Sequence, residues 1–111
     1  MIWRGEVYNV DLGQPIGHEP GSPRPAVVVS AEIFNNGAGG LVVVVPLTSA
    51  AYGLRSRIEV EPGGSGLAHT SYARCDQLRV VSTERLASRL GMIGPDSLRF
   101  IEQALRFVLD L

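Results

Sequence analysis

At 111 residues the chain has room for one domain, because a second core would have too little surface to bury, and a single unit spanning 1–111 is expected. Apolar residues make up 45% and charged residues 19%, near the globular norm and away from the polar, highly charged signature of disorder. A net charge of −1 excludes a protein that grips nucleic acid over its whole surface, so any such binding has to use a local patch.

In chain order, residues 5–12 alternate apolar and polar positions as a half-buried strand does. Residues 13–25 hold four prolines and three glycines, too many for a regular element, and are predicted to form a surface loop of the length that carries function. Residues 26–29 and 41–45 are short and β-branched, which predicts two buried central strands, joined by a flexible connection at 35–40. Further strands are predicted at 57–61, 70–75 and 77–81, with a turn at 62–66 after the first. Ser82 and Thr83 then supply an N-cap for a short helix through Leu86 and Leu90, ended by Gly91.

The last segment opens with Pro95, whose missing N–H costs nothing in a first helical turn, followed by Asp96. Leu98, Ile101, Leu105, Val108 and Leu109 recur at helical spacing, so one face of this C-terminal helix is predicted to pack on the core. Several strands, a terminal helix and no alternation of strand with helix predict a mainly β (α+β) fold, a small twisted antiparallel barrel or half-barrel.

No run approaches the roughly 18–20 apolar residues that cross a bilayer, so no membrane association is expected. The first residues lack the basic start and apolar stretch of a secretory signal, and Cys75, the single cysteine, cannot form an internal disulfide. A cytoplasmic protein is therefore expected. There is no Cys-x-x-Cys and no His-Glu-x-x-His, and His18 and His69 stand far apart without a cluster of ligands, so neither a metal nor another cofactor is expected. A phosphate-cradling GxxxxGK loop and a G-x-S-x-G elbow are absent too.

What remains is a set of polar residues before one buried strand and after the next. Adjacent strands that meet at one edge would bring Arg24 and Thr48 together, and an arginine with a hydroxyl can hold a phosphate through charge-assisted bonds and one O–H. Every basic residue of the chain is arginine, which forks onto phosphate or stacks on a base.

The sequence resembles the MazF/PemK family over nearly its whole length. The resemblance is carried by Arg4-Gly5-Glu6-Val7-Tyr8 and Asp11-Leu12, then Gly17, Glu19, Arg24 and Pro25, then Pro46-Leu47-Thr48-Ser49, then Asp76-Gln77-Leu78-Arg79 and a closing helix that ends in Ala104-Leu105-Arg106-Phe107-Val108-Leu109. It implies an SH3-like barrel with a C-terminal helix and a homodimer. It also implies the toxin of a type II toxin–antitoxin system, which cuts single-stranded RNA, is neutralised by a MazE-like antitoxin and reaches operator DNA only through that antitoxin.

In the family the matching arginine and threonine carry catalysis, which maps onto Arg24 and Thr48. Glu19 and Gln77 match positions of site architecture or RNA contact, and Ser49, Arg55 and Arg79 are further candidates for RNA binding, with Arg57 and Arg74 lining the same groove. Where the family often has serine before the loop glutamate this chain has His18, a candidate for proton transfer or base stacking. Metal-free ribonucleases use the 2′-OH of RNA as the nucleophile, which leaves a 2′,3′-cyclic phosphate and a 5′-OH. Two other readings fit the same fold: a toxin similar to CcdB that acts on DNA gyrase, and a non-catalytic binding or autoregulatory module.

Overall fold

The computed structural model describes residues 1–14, 16–17, 23–51 and 53–111. Its strands are β1 (Glu6–Val10), β2 (Arg24–Val28), β3 (Leu41–Thr48), β4 (Arg57–Val60), β5 (Ser71–Arg74), β6 (Arg79–Ser82) and β7 (Leu86–Met92), with a short helix α1 (Glu32–Asn35) and a terminal helix α2 (Pro95–Leu109). All pairings are antiparallel, in the order β4-β5-β3-β2-β1-β7, and β6 lies beside β3 as well.

β3 changes partners along its length. Its residues 41–44 pair with β6, and Leu47 and Thr48 pair with β5. Pro46, which has no N–H to offer a ladder, falls between the two.

The Val-rich composition of β2 and β3 follows from burial on both faces. Val27, Val45 and Leu47 point to a cluster that includes Val7, Val60, Ala73 and Cys75, and α2 covers it with Ile101 and Ala104. Ala26, Val28, Val42 and Val44 point the other way, to Val10, Leu12 and Val81. A 15-residue helix is marginal alone in water, so α2 is held chiefly by this contact, in which fully buried Ile101 contributes roughly 1.5–3 kcal/mol.

The two ends of the sheet order meet. The Met92 N–H donates to the Gly64 carbonyl at 2.9 Å, which joins the turn after β4 to β7. This approach requires glycine on both sides. A Cβ on Gly66, at φ +77°, would lie 2.0 Å from the Leu90 carbonyl oxygen, and one on Gly91 would lie 2.3 Å from that of Gly64.

Two sequence expectations are corrected here. Residues 82–91 do not form a helix: Ser82 Oγ does accept the Glu84 N–H at 3.2 Å, but the cap supports only the 3₁₀ turn Thr83–Arg85, and the chain then becomes β7. The open edge of β1 captures it, through the pairs Val10–Leu86, Tyr8–Arg89 and Val7–Gly91. Two irregularities in that register place Leu86 on the second cluster and Leu90 on the first, which is why their four-residue spacing imitates a helix.

The connection after β2 begins with the short helix α1, and the first two residues of the expected 35–40 link are anchored. Buried Asn35 donates to the Ser30 carbonyl at 3.0 Å and accepts from the Ser30 hydroxyl, which in turn accepts the Val43 N–H at 2.9 Å. Asn36 bonds both the N–H and the carbonyl of Ile2, so α1 fastens the N-terminus to the start of β3. Smaller shifts are that β2 already begins at Arg24 and that β6 begins at Arg79, after a 3₁₀ turn at Cys75–Gln77.

Candidate functional site

The strand registers assemble the site. Val10 pairs with Arg24, and Tyr72 pairs with Thr48 on one side and Glu59 on the other. The β2–β3 ladder matches Ala26 to Pro46, so two residues further on Arg24 stands opposite Thr48. One row across the five adjacent strands β1, β2, β3, β5 and β4 therefore reads Val10, Arg24, Thr48, Tyr72, Glu59. Paired residues share a sheet face, as do residues two apart, so Arg74 and its partner Arg57 lie on this face in the next row. Arg79, paired with Val44, lies on it further back along β3.

This face is apolar at its centre, over the second cluster, and turns polar where β2 begins and β3 ends. Arg24, Thr48, Tyr72, Arg57 and Arg74 are all half-buried there. The Arg24 guanidinium donates to the Leu47 carbonyl at 3.2 Å. Thr48 Oγ1 accepts the Ala50 N–H at 3.3 Å, and Arg57 donates to the Ala50 carbonyl at 2.8 Å, so the turn carrying exposed Ser49 is tied on both sides. At the edge of the row exposed Glu59 has its pKa raised, chiefly by a hydrogen bond with Glu61.

The other sequence candidates fall in different places. Arg79 donates to the Leu12 carbonyl at 3.1 Å, and Arg85 donates to that of Asp11 at 3.3 Å, so both hold the stem where the chain leaves β1. Gln77 is half-buried at the end of the 3₁₀ turn before β6. Arg55 is not in the row: its guanidinium lies 4.0 Å from the centre of the Phe107 ring, on α2, beside Phe100 and Gln103. His18 and Glu19 lie outside the described residues.

Tyr72 joins this row without having been among the sequence candidates. Its signal was present, since Tyr72 and Arg74 alternate with buried Ala73 and must share the opposite face.

The motif at the N-terminus is structural. Arg4 donates to the Val29 carbonyl at 3.0 Å and pairs with Glu102 of α2, while Gly5, at φ +94°, sends its N–H to Val28. Glu6 is 3% exposed and accepts the Trp3 N–H at 2.5 Å, the Tyr8 hydroxyl at 3.2 Å and the Arg89 guanidinium. Burial alone would raise the pKa of Glu6, but those three donors together lower it. Cys75 is fully buried and its thiol is pushed up to about 12, by burial first and then by Asp76, so it is no nucleophile at neutral pH. Among the described residues no group of three His, Cys, Asp or Glu side chains stands ready to hold a metal.

A guanidinium and a hydroxyl at one end of a sheet, beside an aromatic ring and two more arginines, are groups that can bind phosphate and stack on a base. Comparison with known proteins agrees in kind. Residues 3–109 match the family described as PemK-like, MazF-like toxin of type II toxin–antitoxin systems. The chain is 35% identical over 116 residues to endoribonuclease MazF9 of Mycobacterium tuberculosis, covering 100% of this chain and 98% of that one. It is 24% identical to endoribonuclease EndoA of Bacillus subtilis, over 100% and 97% of the two chains. Among solved structures, a mycobacterial endoribonuclease in complex with its cognate antitoxin superposes with a TM-score of 0.83 at 27% identity, covering 100% and 97%. MazF from Deinococcus radiodurans gives the same TM-score and identity over 99% and 97%.

Proposed function

The chain belongs to the PemK-like, MazF-like toxin family, and on that premise we propose that it cuts single-stranded RNA at the row formed by Arg24 and Thr48. It is a toxin endoribonuclease of the MazF type, like relatives named endoribonuclease MazF9, EndoA and PemK. The observation that carries the siting is the bond from Arg24 to the Leu47 carbonyl, which fixes a permanent cation beside the hydroxyl of Thr48.

In this reading the scissile phosphate sits beside the Arg24 guanidinium, whose positive charge stabilises the charge that grows as the 2′-OH oxygen attacks phosphorus. Thr48 gives one hydrogen bond to the same oxygens. The P–O bond to the 5′ oxygen of the next nucleotide breaks and that oxygen takes a proton from water, which leaves a 2′,3′-cyclic phosphate and a 5′-OH. Arginine holds its proton at pH 7 and is a poor proton acceptor, and His18 is the candidate for the 2′-OH proton because histidine is the residue type that exchanges protons near neutral pH. Neither a metal nor another cofactor enters the scheme.

We assign the protein to the cytoplasm, where its RNA is found; no helix among the described residues is long and apolar enough to cross a membrane. A homodimer and control by an acidic, partly apolar antitoxin segment laid over the arginine face complete the proposal; the existence of an antitoxin is supported by a solved relative in complex with its own. The test is a purified protein mixed with an RNA oligonucleotide pool and its DNA counterpart, with chelator present. RNA fragments with 5′-OH ends and intact DNA are expected. Intact RNA together with inhibited DNA gyrase would overturn the reading.

A further inference from the structure

We propose that Tyr72 reads a base at the cleavage site: its ring stacks on a nucleobase next to the scissile phosphate and so restricts which base is accepted. The inference rests on the reading that Arg24 and Thr48 hold that phosphate.

Tyr72 is the register partner of Thr48, so its Cα lies one strand spacing, about 5 Å, from the hydroxyl-bearing residue and its ring is on the same face. It is half-buried, which leaves part of the ring open to a ligand. The charges around it decide which part of an RNA strand lies there. On one side the row continues to Arg24; along β5, two residues on and on the same face, stand Arg74 and its partner Arg57. On the remaining side Glu59, the other partner of Tyr72, carries a carboxyl group. Phosphates are drawn to the two cationic positions and repelled from the acidic one, so the span between them takes the neutral part of the nucleotide. Tyr72 is the aromatic residue of that row, and unpaired bases of single-stranded RNA stack on such rings.

The experiment uses one short RNA that the wild type cleaves, and versions of it in which the base on either side of the cut is replaced by an abasic sugar. Wild type is expected to lose about 10–100-fold in kcat/KM when one of the two bases is removed, the range that stacking of one base supplies. Tyr72→Ala is expected to show the same loss on the intact RNA and almost no further loss on that abasic one, while Tyr72→Phe stays within about 3-fold of wild type. Tyr72→Leu, which keeps side-chain bulk in the strand, stands in if the alanine variant fails to fold. Equal abasic penalties in wild type and the variant, at both positions, would overturn the proposal.

The same cycle measured as binding of RNA with a 2′-deoxy sugar at the cut does not depend on catalysis. If Arg24→Ala cleaves normally, the catalytic reading fails; if the binding cycle shows no coupling, the role of Tyr72 fails.

Discussion

The guanidinium of Arg24 is held by the carbonyl of Leu47, the residue immediately before Thr48, so the cation on β2 is aimed by the strand that carries the hydroxyl. Arg24→Ala is therefore expected to lower cleavage at least 10²-fold, the scale seen when one donor to a developing charge is removed, with little change in thermal stability because Arg24 is only half-buried. Arg24→Lys should recover little, since one ammonium does not reproduce a fork that serves the carbonyl and a phosphate together. Thr48→Val is expected to cost on the order of 10²-fold. Single-turnover rates on a fluorescent RNA, with the melting curve of each variant, check all three. A folded Arg24→Ala protein at wild-type rate would remove Arg24 from the chemistry.

Arg74 and Arg55 separate the proposed RNA face from the helix face. Arg74 shares the face of Arg24 and Thr48, whereas Arg55 stacks on Phe107 of α2. For single strands the slope of log affinity against log salt falls by about 0.7 for each phosphate that the protein no longer neutralises. Arg74→Ala is expected to show that change and Arg55→Ala none. Arg55→Ala should instead lower stability by about 0.5–1 kcal/mol, an effect absent when Phe107 is already alanine. A salt slope reduced equally in both variants would put Arg55 on the RNA path.

Those placements show what the sequence could and could not reveal. The valines of β2 and β3 and the stripe of α2 were readable because burial writes itself as period and composition, and the juxtaposition of Arg24 with Thr48 followed once the two strands were taken to be adjacent and to meet at one edge. β7 was not readable as a strand, because its pairing partner lies some 80 residues earlier and its irregular register breaks the alternation that marks a strand. The direction of Arg55 was hidden for a related reason. A charged residue before a strand says nothing of which ring, 52 positions later, will lie beneath it. Glu6 was visible only as part of a motif; that Arg89 completes it depends on the same unpredicted strand.

Barrel closure supplies a stability test. Gly91→Ala would push a Cβ to 2.3 Å from the Gly64 carbonyl oxygen and 2.6 Å from the Ser65 carbonyl carbon, both backbone atoms that cannot rotate aside. The expected cost is about 2–3 kcal/mol, which for a domain of this size lowers Tm by roughly 10 °C. Gly39→Ala, with nothing within 4 Å of the added carbon, is the control and should leave Tm unchanged or slightly raised. Similar Tm values for the two variants would mean that the turn after β4 does not hold β7 in solution.

The buried carboxylate of Glu6 ties stability to pH. Burial by itself would raise its pKa, but the Trp3 N–H, Arg89 and the Tyr8 hydroxyl stabilise the charged form, and the net effect is a folded pKa below the ordinary value. A depressed carboxylate contributes stability that is fully present above its unfolded pKa of about 4.3 and is lost as pH falls through the folded one. Glu6→Gln keeps the shape and removes the charge, so at pH 7 it is expected to be less stable by about 1–3 kcal/mol, the scale of a charge-assisted network that loses its ion. Arg89 is half-exposed, with 51% of its side chain accessible, so water screens part of the pair and Arg89→Ala should cost less, about 1 kcal/mol. The deficit of Glu6→Gln should stay level from pH 8 to about 5 and then shrink as pH falls through the depressed folded pKa. Urea midpoints across that range measure it, with the slope at each pH confirming two-state unfolding. A deficit that stays constant down to pH 3 would mean that Glu6 does not titrate in this window and that its role is steric.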